Sequence, residues 1–193
     1  MKVLKRLPTI LIFLIGISVI VRCVAAIYFG DPVEAISGAG DQISYHTLGL
    51  RVLQGHGFSF PTSWWPATKP DAPTAHWSYL YTIYITTVYA LFGEHALAAR
   101  LIQAIITGIL QPLLAYLLAD RLFGVKAGLV AAALAAFYAY FIFYSATLMT
   151  EAFYITTILL SLYLAILIVS ELNKKSHLNV VVTRPENNES FKK

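Results

Sequence analysis

Asp41 and Glu151 are the two acids of this sequence placed where a carboxylate could act on something other than water. Glu151 stands between the apolar runs 141–149 and 152–160. A carboxylate at the edge of an apolar layer is costly and tends to be kept for a function. The plain alternative is that Thr150-Glu151 caps the helix that follows. Asp41 opens the stretch 41–54, in which Tyr45, Leu48 and Val52 fall on one helical face while Gln42, His46 and Arg51 fall elsewhere. It is either the N-cap of that helix or a carboxylate facing a cavity. Two carboxylates on one side of a membrane could divide the roles of general base and cation ligand.

Four further side chains complete the candidate set. Tyr45 follows Asp41 by one helical turn and can orient that carboxylate or simply pack. Arg100 could hold a phosphate through two parallel hydrogen bonds, or snorkel to lipid headgroups. Lys69 and His76 close a polar segment, as substrate-binding residues or as solvated loop positions. His56, between Gly55 and Gly57, reads as loop. Cys23 is the only cysteine and lies in an apolar run, so it reads as a small buried hydrophobe and no disulfide framework exists. The sequence holds no phosphate-binding glycine loop, no zinc-protease helix and no serine-nucleophile elbow. A metal requirement is left open; a divalent cation would suit a pair of acids.

The elements that must position these residues follow from composition. Hydrophobic residues make up 58% of the 193 positions and charged ones 12%. A soluble domain of this size cannot hide that much apolar surface, so the expected class is an all-α, polytopic helical membrane protein. The net charge of +4 is then read as topology and not as nucleic-acid binding.

Lys2, Lys5 and Arg6 precede the apolar run 8–29, whose ~20 residues match an uncleaved span more closely than a signal core. Arg22 near its far end is expected to snorkel. The segment 30–95 is expected to be an outer loop with its own juxtamembrane helices, with Trp64-Trp65-Pro66 as an interface anchor. Further apolar runs follow at 77–92, 96–118, 127–148 and 152–169. Arg121 and Lys126 flank one junction, and Lys174 and Lys175 follow the last run. The positive-inside rule places both clusters and the N-terminus in the cytoplasm. That is consistent only if 77–92, the shortest run, does not cross. Four spans result (8–29, 96–118, 127–148 and 152–169), and Asp41 and Glu151 then share the outer face. Pro112 is expected to kink the second span. The stretch 171–193 reads as a polar, disordered cytoplasmic tail, in which the Asn188-Glu189-Ser190 acceptor pattern would go unused.

Four stretches, in order, resemble the N-terminal part of the GT-C type membrane glycosyltransferases: GDQISYHTLGLRVLQGHGF (40–58), ALFGEHALAARLIQAIITGIL (90–110), LLAYLLADRLFGVKAGLVAAALAAF (113–137) and FYSATLMTEAFYI (143–155). The group they are most similar to comprises bacterial relatives of the dolichyl-phosphate-mannose–protein mannosyltransferases, including aminoarabinose and Rgt-type transferases. The resemblance implies transfer of a sugar from a polyprenyl-phosphate carrier to an acceptor lipid, glycan or protein, with inversion at the anomeric carbon. It implies Asp41 as general base, Glu151 as a second acid contacting donor, acceptor or metal, and Arg100 as the arginine of the Ala-Ala-Arg stretch. Two departures stand out. His76 to Tyr81 lacks the proline common at the end of the first loop, and Tyr138-Ala139-Tyr140 replaces a proline near the outer end of the third span. Family members are usually at least twice as long, so a truncated product, or a partner chain supplying the missing C-terminal half, is an expectation. The alternative function is a non-catalytic membrane protein that binds a lipid carrier or serves as a partner subunit. A small transporter is a third reading, disfavoured because the acids sit at the membrane edge and no inverted repeat is visible. The expected location is the cell membrane.

Overall fold

The computed structural model describes residues 8–66 and 69–182, with side chains to residue 172. The described chain is entirely helical apart from its loops: α1 (Thr9–Phe29), α2 (Asp41–Leu53), α3 (Tyr79–Phe92), α4 (Ala96–Phe123), α5 (Val125–Phe137), α6 (Ala139–Ala146) and α7 (Glu151–Val182). Helices α1, α4 and the Glu151–Leu172 part of α7 are long and apolar enough to cross a membrane. A fourth span arises if α5 and α6, bent by 49° at Tyr138, are taken together. The expected class and number of spans therefore hold.

Helix α3 has 14 residues and so measures ~21 Å, short of a ~30 Å hydrocarbon core. It instead packs on α2, where Gly49 lets the helices approach; a Cβ at that position would lie 2.6 Å from Cγ2 of Ile85. Tyr45, Leu48, Trp77, Tyr81 and Ile85 form the core of this juxtamembrane layer. Gly55 and Gly57, at φ of 83° and 67°, turn the chain after α2 as their sequence position predicts. The loop beyond folds back on itself through an isolated bridge between Ser59 and Pro73. Arg51 pairs with Asp71 across that loop. Trp64 stacks on Phe60 and its indole N–H donates to Ser44 Oγ at 2.9 Å, so only Trp65, 89% exposed, remains as an anchor.

Helix α4 is the centre of the bundle and touches every other span. It runs unbroken through Pro112. Along α4, Arg100, Gln103, Thr107 and Gln111 form one buried polar stripe. Arg100 and Gln103 in that stripe satisfy backbone groups where neighbouring elements break, as buried backbone must be satisfied. Arg100 donates to the carbonyls of Phe29 (3.2 Å), Gly30 and Pro32 (3.0 Å), where the chain leaves α1.

The first span departs from expectation at one residue. Arg22 does not snorkel; it is fully buried and turns into the bundle. It donates to Ser18, to Gln111 Oε1 at 3.0 Å, and to the carbonyls of Ala135 (2.9 Å) and Ala136 (3.2 Å). Those carbonyls end α5, where the extended backbone of Tyr138 (ψ 118°) interrupts the third span. A cation at a helix C-terminus also opposes the negative end of its dipole. The expected single helix 127–148 is thus two helices, broken without a proline. The last span runs on as helix to Val182, past the boundary expected at 169. The N-terminal basic cluster, and the part of the tail from 183 on with its Asn188 acceptor, lie outside the described residues.

Candidate functional site

The site forms at the end of the bundle where α1 leaves, α4 and α7 begin, and the juxtamembrane layer sits. Gln42, the second residue of α2, is fully buried. Its Oε1 accepts from Arg100 Nη2 at 3.1 Å and its Nε2 donates to the Glu34 carbonyl. The first turn of α2 is thereby fastened to the top of α4. Asp41, its neighbour, is left exposed. Gly40 occupies the N-cap position, so the capping reading of Asp41 does not describe this helix. No described residue hydrogen-bonds to the Asp41 carboxylate.

Tyr45, one turn on, is buried, with its ring edge-to-face on Tyr81 at 4.8 Å. Its hydroxyl accepts from the Ser78 backbone N–H at 3.4 Å. Burial pushes its pKa up, and the charges of both Asp41 and Glu151 push it further, while hydrogen bonds from Ser78 and the Thr150 side chain pull the other way. The phenol is therefore neutral at physiological pH and remains a hydrogen-bond donor.

Glu151 is the first residue of α7. Its Oε2 is buried without a hydrogen-bond partner. An acceptor in that state is costly, and an oxygen that capped its own helix would not be partnerless. A second orphan, the indole N–H of Trp77, lies in the packed cluster that also holds Tyr45. Beside Glu151 an apolar groove of 590 Å³ opens between α3, α4 and α7, lined by Tyr81, Tyr84, Ile106, Thr150, Phe153 and Tyr154.

The other predicted residues are placed differently. Arg100 lies fully buried with its Nη donors on the chain leaving α1 and on Gln42, so it holds protein and not solvent or lipid. Lys69 and His76 are exposed on the loop between α2 and α3, His76 with its ring edge on Trp77 at 4.7 Å. No hydrogen bond or ion pair joins either one to Asp41, Tyr45 or Glu151. Among the described residues no three His, Cys, Asp or Glu side chains converge as a ligand set for a metal ion.

Near Asp41, two His–carboxylate contacts secure the turn between α3 and α4. His46 Nε2 lies 3.5 Å from Glu94 and His95 Nδ1 3.4 Å from Asp31. Burial lowers the His46 pKa more than Glu94 raises it, so the neutral ring is favoured. In that form Nε2–H faces Glu94 and Nδ1 accepts from the Tyr89 hydroxyl at 2.8 Å. The Asp31 carboxylate is held below its ordinary range chiefly by the Leu97 N–H, at 2.9 Å.

Sequence reasoning overlooked Gln42, Gln103 and Gln111. The signal was present: amides at positions 103 and 111, with Arg100 and Thr107, recur at helical spacing inside a span where polar groups are expensive.

Several membrane-length helices around a buried polar stripe define a multi-pass membrane protein. The chain belongs to the dolichyl-phosphate-mannose-protein mannosyltransferase family, whose family model matches residues 76–183, more than half its length. That segment contains Arg100, Gln103, Gln111 and Glu151; Asp41 and Tyr45 precede it. No curated protein and no solved structure matches the chain.

Proposed function

We propose that this chain is a GT-C type glycosyltransferase, or the N-terminal module of one, using a polyprenyl-phosphate-linked sugar at the outer face of the cell membrane. The observation that supports this reading is the buried, unpartnered Oε2 of Glu151 beside an apolar groove, at the end of the bundle where Gln42 and Arg100 fasten the Asp41-bearing turn of α2. Asp41, exposed and with no hydrogen bond from the described residues, takes the proton of an acceptor hydroxyl. The acceptor oxygen then attacks the anomeric carbon. The bond from that carbon to the phosphate oxygen breaks, and polyprenyl phosphate leaves with the electron pair. Displacement from the opposite face inverts the anomeric centre.

Glu151 supplies an acceptor for a sugar hydroxyl, or a ligand for a divalent cation at the leaving phosphate. Tyr45, one turn along α2 from Asp41, donates from its neutral hydroxyl. The apolar groove beside Thr150 suits the carrier's hydrocarbon chain, entering from the bilayer. Lys69 and His76 are free to meet the phosphate from the outer loop, while Arg100 acts by positioning α2. The distribution of Lys2, Lys5, Arg6, Arg121 and Lys126 supports a cytoplasmic N-terminus and an outward-facing site.

The test is transfer from a radiolabelled polyprenyl-phosphate-sugar pool in membranes holding this chain or its Asp41→Asn and Glu151→Gln variants. Transfer by the unmutated chain, lost in both variants at equal membrane content, is the expected result. Retained transfer in either variant removes that acid from the mechanism. No transfer by the unmutated chain, with donor shown present, selects the second reading: a lipid-carrier-binding or partner subunit, which the open apolar groove would also serve.

A further inference from the structure

Glu151 sits immediately after a break in the chain. Helix α6 ends at Ala146 and α7 begins at Glu151, so the acid's position depends on whatever holds the four intervening residues. Local backbone bonding is sparse there, with the Met149 N–H donating to the Thr147 carbonyl at 2.8 Å, because the last carbonyls of α6 have no further helical turn to bond. Two amides of α4 add bonds on either side of the break. Gln103 Nε2 donates to the carbonyls of Tyr144 and Thr147, each at 2.8 Å, on the near side of the break. Gln111 Nε2 donates to the Ala152 carbonyl at 3.1 Å and to Thr156 Oγ1 at 3.3 Å, on the far side. The two glutamines lie about two turns apart on one face of α4, or ~12 Å, and so straddle Glu151.

Each amide is itself oriented. The Tyr81 hydroxyl donates to Gln103 Oε1 at 2.7 Å, and Arg22 Nη2 donates to Gln111 Oε1 at 3.0 Å. A donor on the oxygen leaves only the NH₂ edge to face the carbonyls, as an outer group fixes an inner ligand at a metal site. All four residues are buried, Tyr81 at 3% exposure and the others at zero.

We propose that Gln103 and Gln111, oriented by Tyr81 and Arg22, are positioning residues that aim the Glu151 carboxylate into the site. That Glu151 acts on substrate rests on the function proposed above; that the two clamps set its position does not. A small displacement of a group acting on a reacting centre costs far more rate than binding.

The experiment uses the full chain in membranes, with Cys23→Ser and Glu151→Cys, and measures the rate at which a membrane-impermeant thiosulfonate modifies position 151. Thr62→Cys, at an exposed loop position, is the parallel reporter. Adding Gln103→Leu or Gln111→Leu is expected to change the rate at 151 by about threefold or more, through local freedom of the 147–150 turn, with the rate at 62 unaltered. General loosening of the fold would move both reporters together and overturns the proposal, as does an unchanged rate at 151. If a leucine variant does not accumulate, Tyr81→Phe removes only the hydroxyl that orients Gln103 and is read in the same way. In chains that keep Glu151 and transfer sugar, Gln111→Leu should lower turnover about tenfold at unchanged KM for the lipid donor. Unchanged turnover there also overturns the proposal. If the unmutated chain transfers no sugar, the functional reading fails while the labelling rates still decide the clamps.

Discussion

Arg22 Nη2 donates to Gln111 Oε1 across 3.0 Å, joining the first span to the second deep in the bundle, with no acidic partner for the arginine among the described residues. The contact shows how a charge is accommodated there. The two Nη groups donate to carbonyl, amide and hydroxyl oxygens, two of which terminate α5, while Nε is left without a partner. Removing it leaves buried acceptors bare. Arg22→Leu is expected to destabilise the chain in detergent by about 3 kcal/mol. Arg22→Lys should recover little, because one ammonium cannot reach Gln111, Ala135 and Ala136 together. Thermal denaturation followed by fluorescence-detected size exclusion reads both variants; wild-type melting in Arg22→Leu would contradict this account.

Two glycines in spans should respond oppositely to alanine. A Cβ at Gly108 would lie 3.0 Å from the Cα of Val19, and a backbone atom cannot step aside. Gly108→Ala must push α1 from α4, at a cost of about 1–3 kcal/mol. Nothing lies within 4 Å of a Cβ at Gly16, so Gly16→Ala should be neutral or stabilising by up to ~1 kcal/mol. The difference in melting temperature between the two variants measures the close approach.

His46 makes stability pH-dependent in a direction that follows from its lowered pKa. The unfolded chain takes up the proton near the ordinary histidine pKa, about 6.5, before the folded chain does. Stability is therefore full above that pH and is lost as pH falls through it toward the lower folded value. Asp31, also lowered, contributes in the same sense but only below about pH 4, so the two are separable. The melting temperature should decline between pH 7 and pH 5, and His46→Gln should flatten that decline. An identical slope in the variant would assign the effect to another group.

The strap between Arg51 and Asp71 should matter locally and not globally. Asp71 is 69% exposed, and such pairs couple by only ~0.2–1 kcal/mol. Arg51→Leu should speed proteolysis within the 56–74 loop several-fold while barely shifting global melting. A double-mutant cycle with Asp71→Ala gives the coupling directly.

Topology can be tested at positions that face water. Ser59 at first sight suits an outer-loop reporter, but it is 2% exposed and bonded to Arg51. Thr62→Cys should label from outside intact cells. Phe123→Cys, at the opposite end of α4 and 77% exposed, should label only after permeabilisation. The reverse pattern would invert the chain and place the site in the cytoplasm.

The architecture was legible because lipid leaves few choices. Spans show in apolar length, and the shortness of α3 sets it apart from the three helices long enough to cross. The amphipathic stretch after Asp41 gave α2 within one residue. What local pattern could not show was partnership. Tyr138 breaks a span with neither proline nor glycine, because Arg22, more than a hundred residues earlier, satisfies the freed carbonyls. Gln42 was assigned off the buried face for the same reason. Its burial depends on Arg100, and helical periodicity carries no information on a contact between distant helices. The roles of Asp41 and Glu151 were read from the chemistry of carboxylates at a membrane edge, and the buried, unpartnered state of the Glu151 Oε2 is a product of packing that no local pattern displays.

The bend at Tyr138 also affects how the protein meets membranes of different thickness. A straight span adapts to hydrophobic mismatch by tilting as a rod. Helices α5 and α6, of 13 and 8 residues, measure only ~20 and ~12 Å, so neither crosses a ~30 Å layer alone. Where the pair crosses the bilayer as one span, a change in thickness is expected to act first on their joint, at which Arg22 holds the last carbonyls of α5. The far end of α6 leads directly to the turn that carries Glu151. The thickness of the surrounding lipid is then expected to act on the placement of that acid.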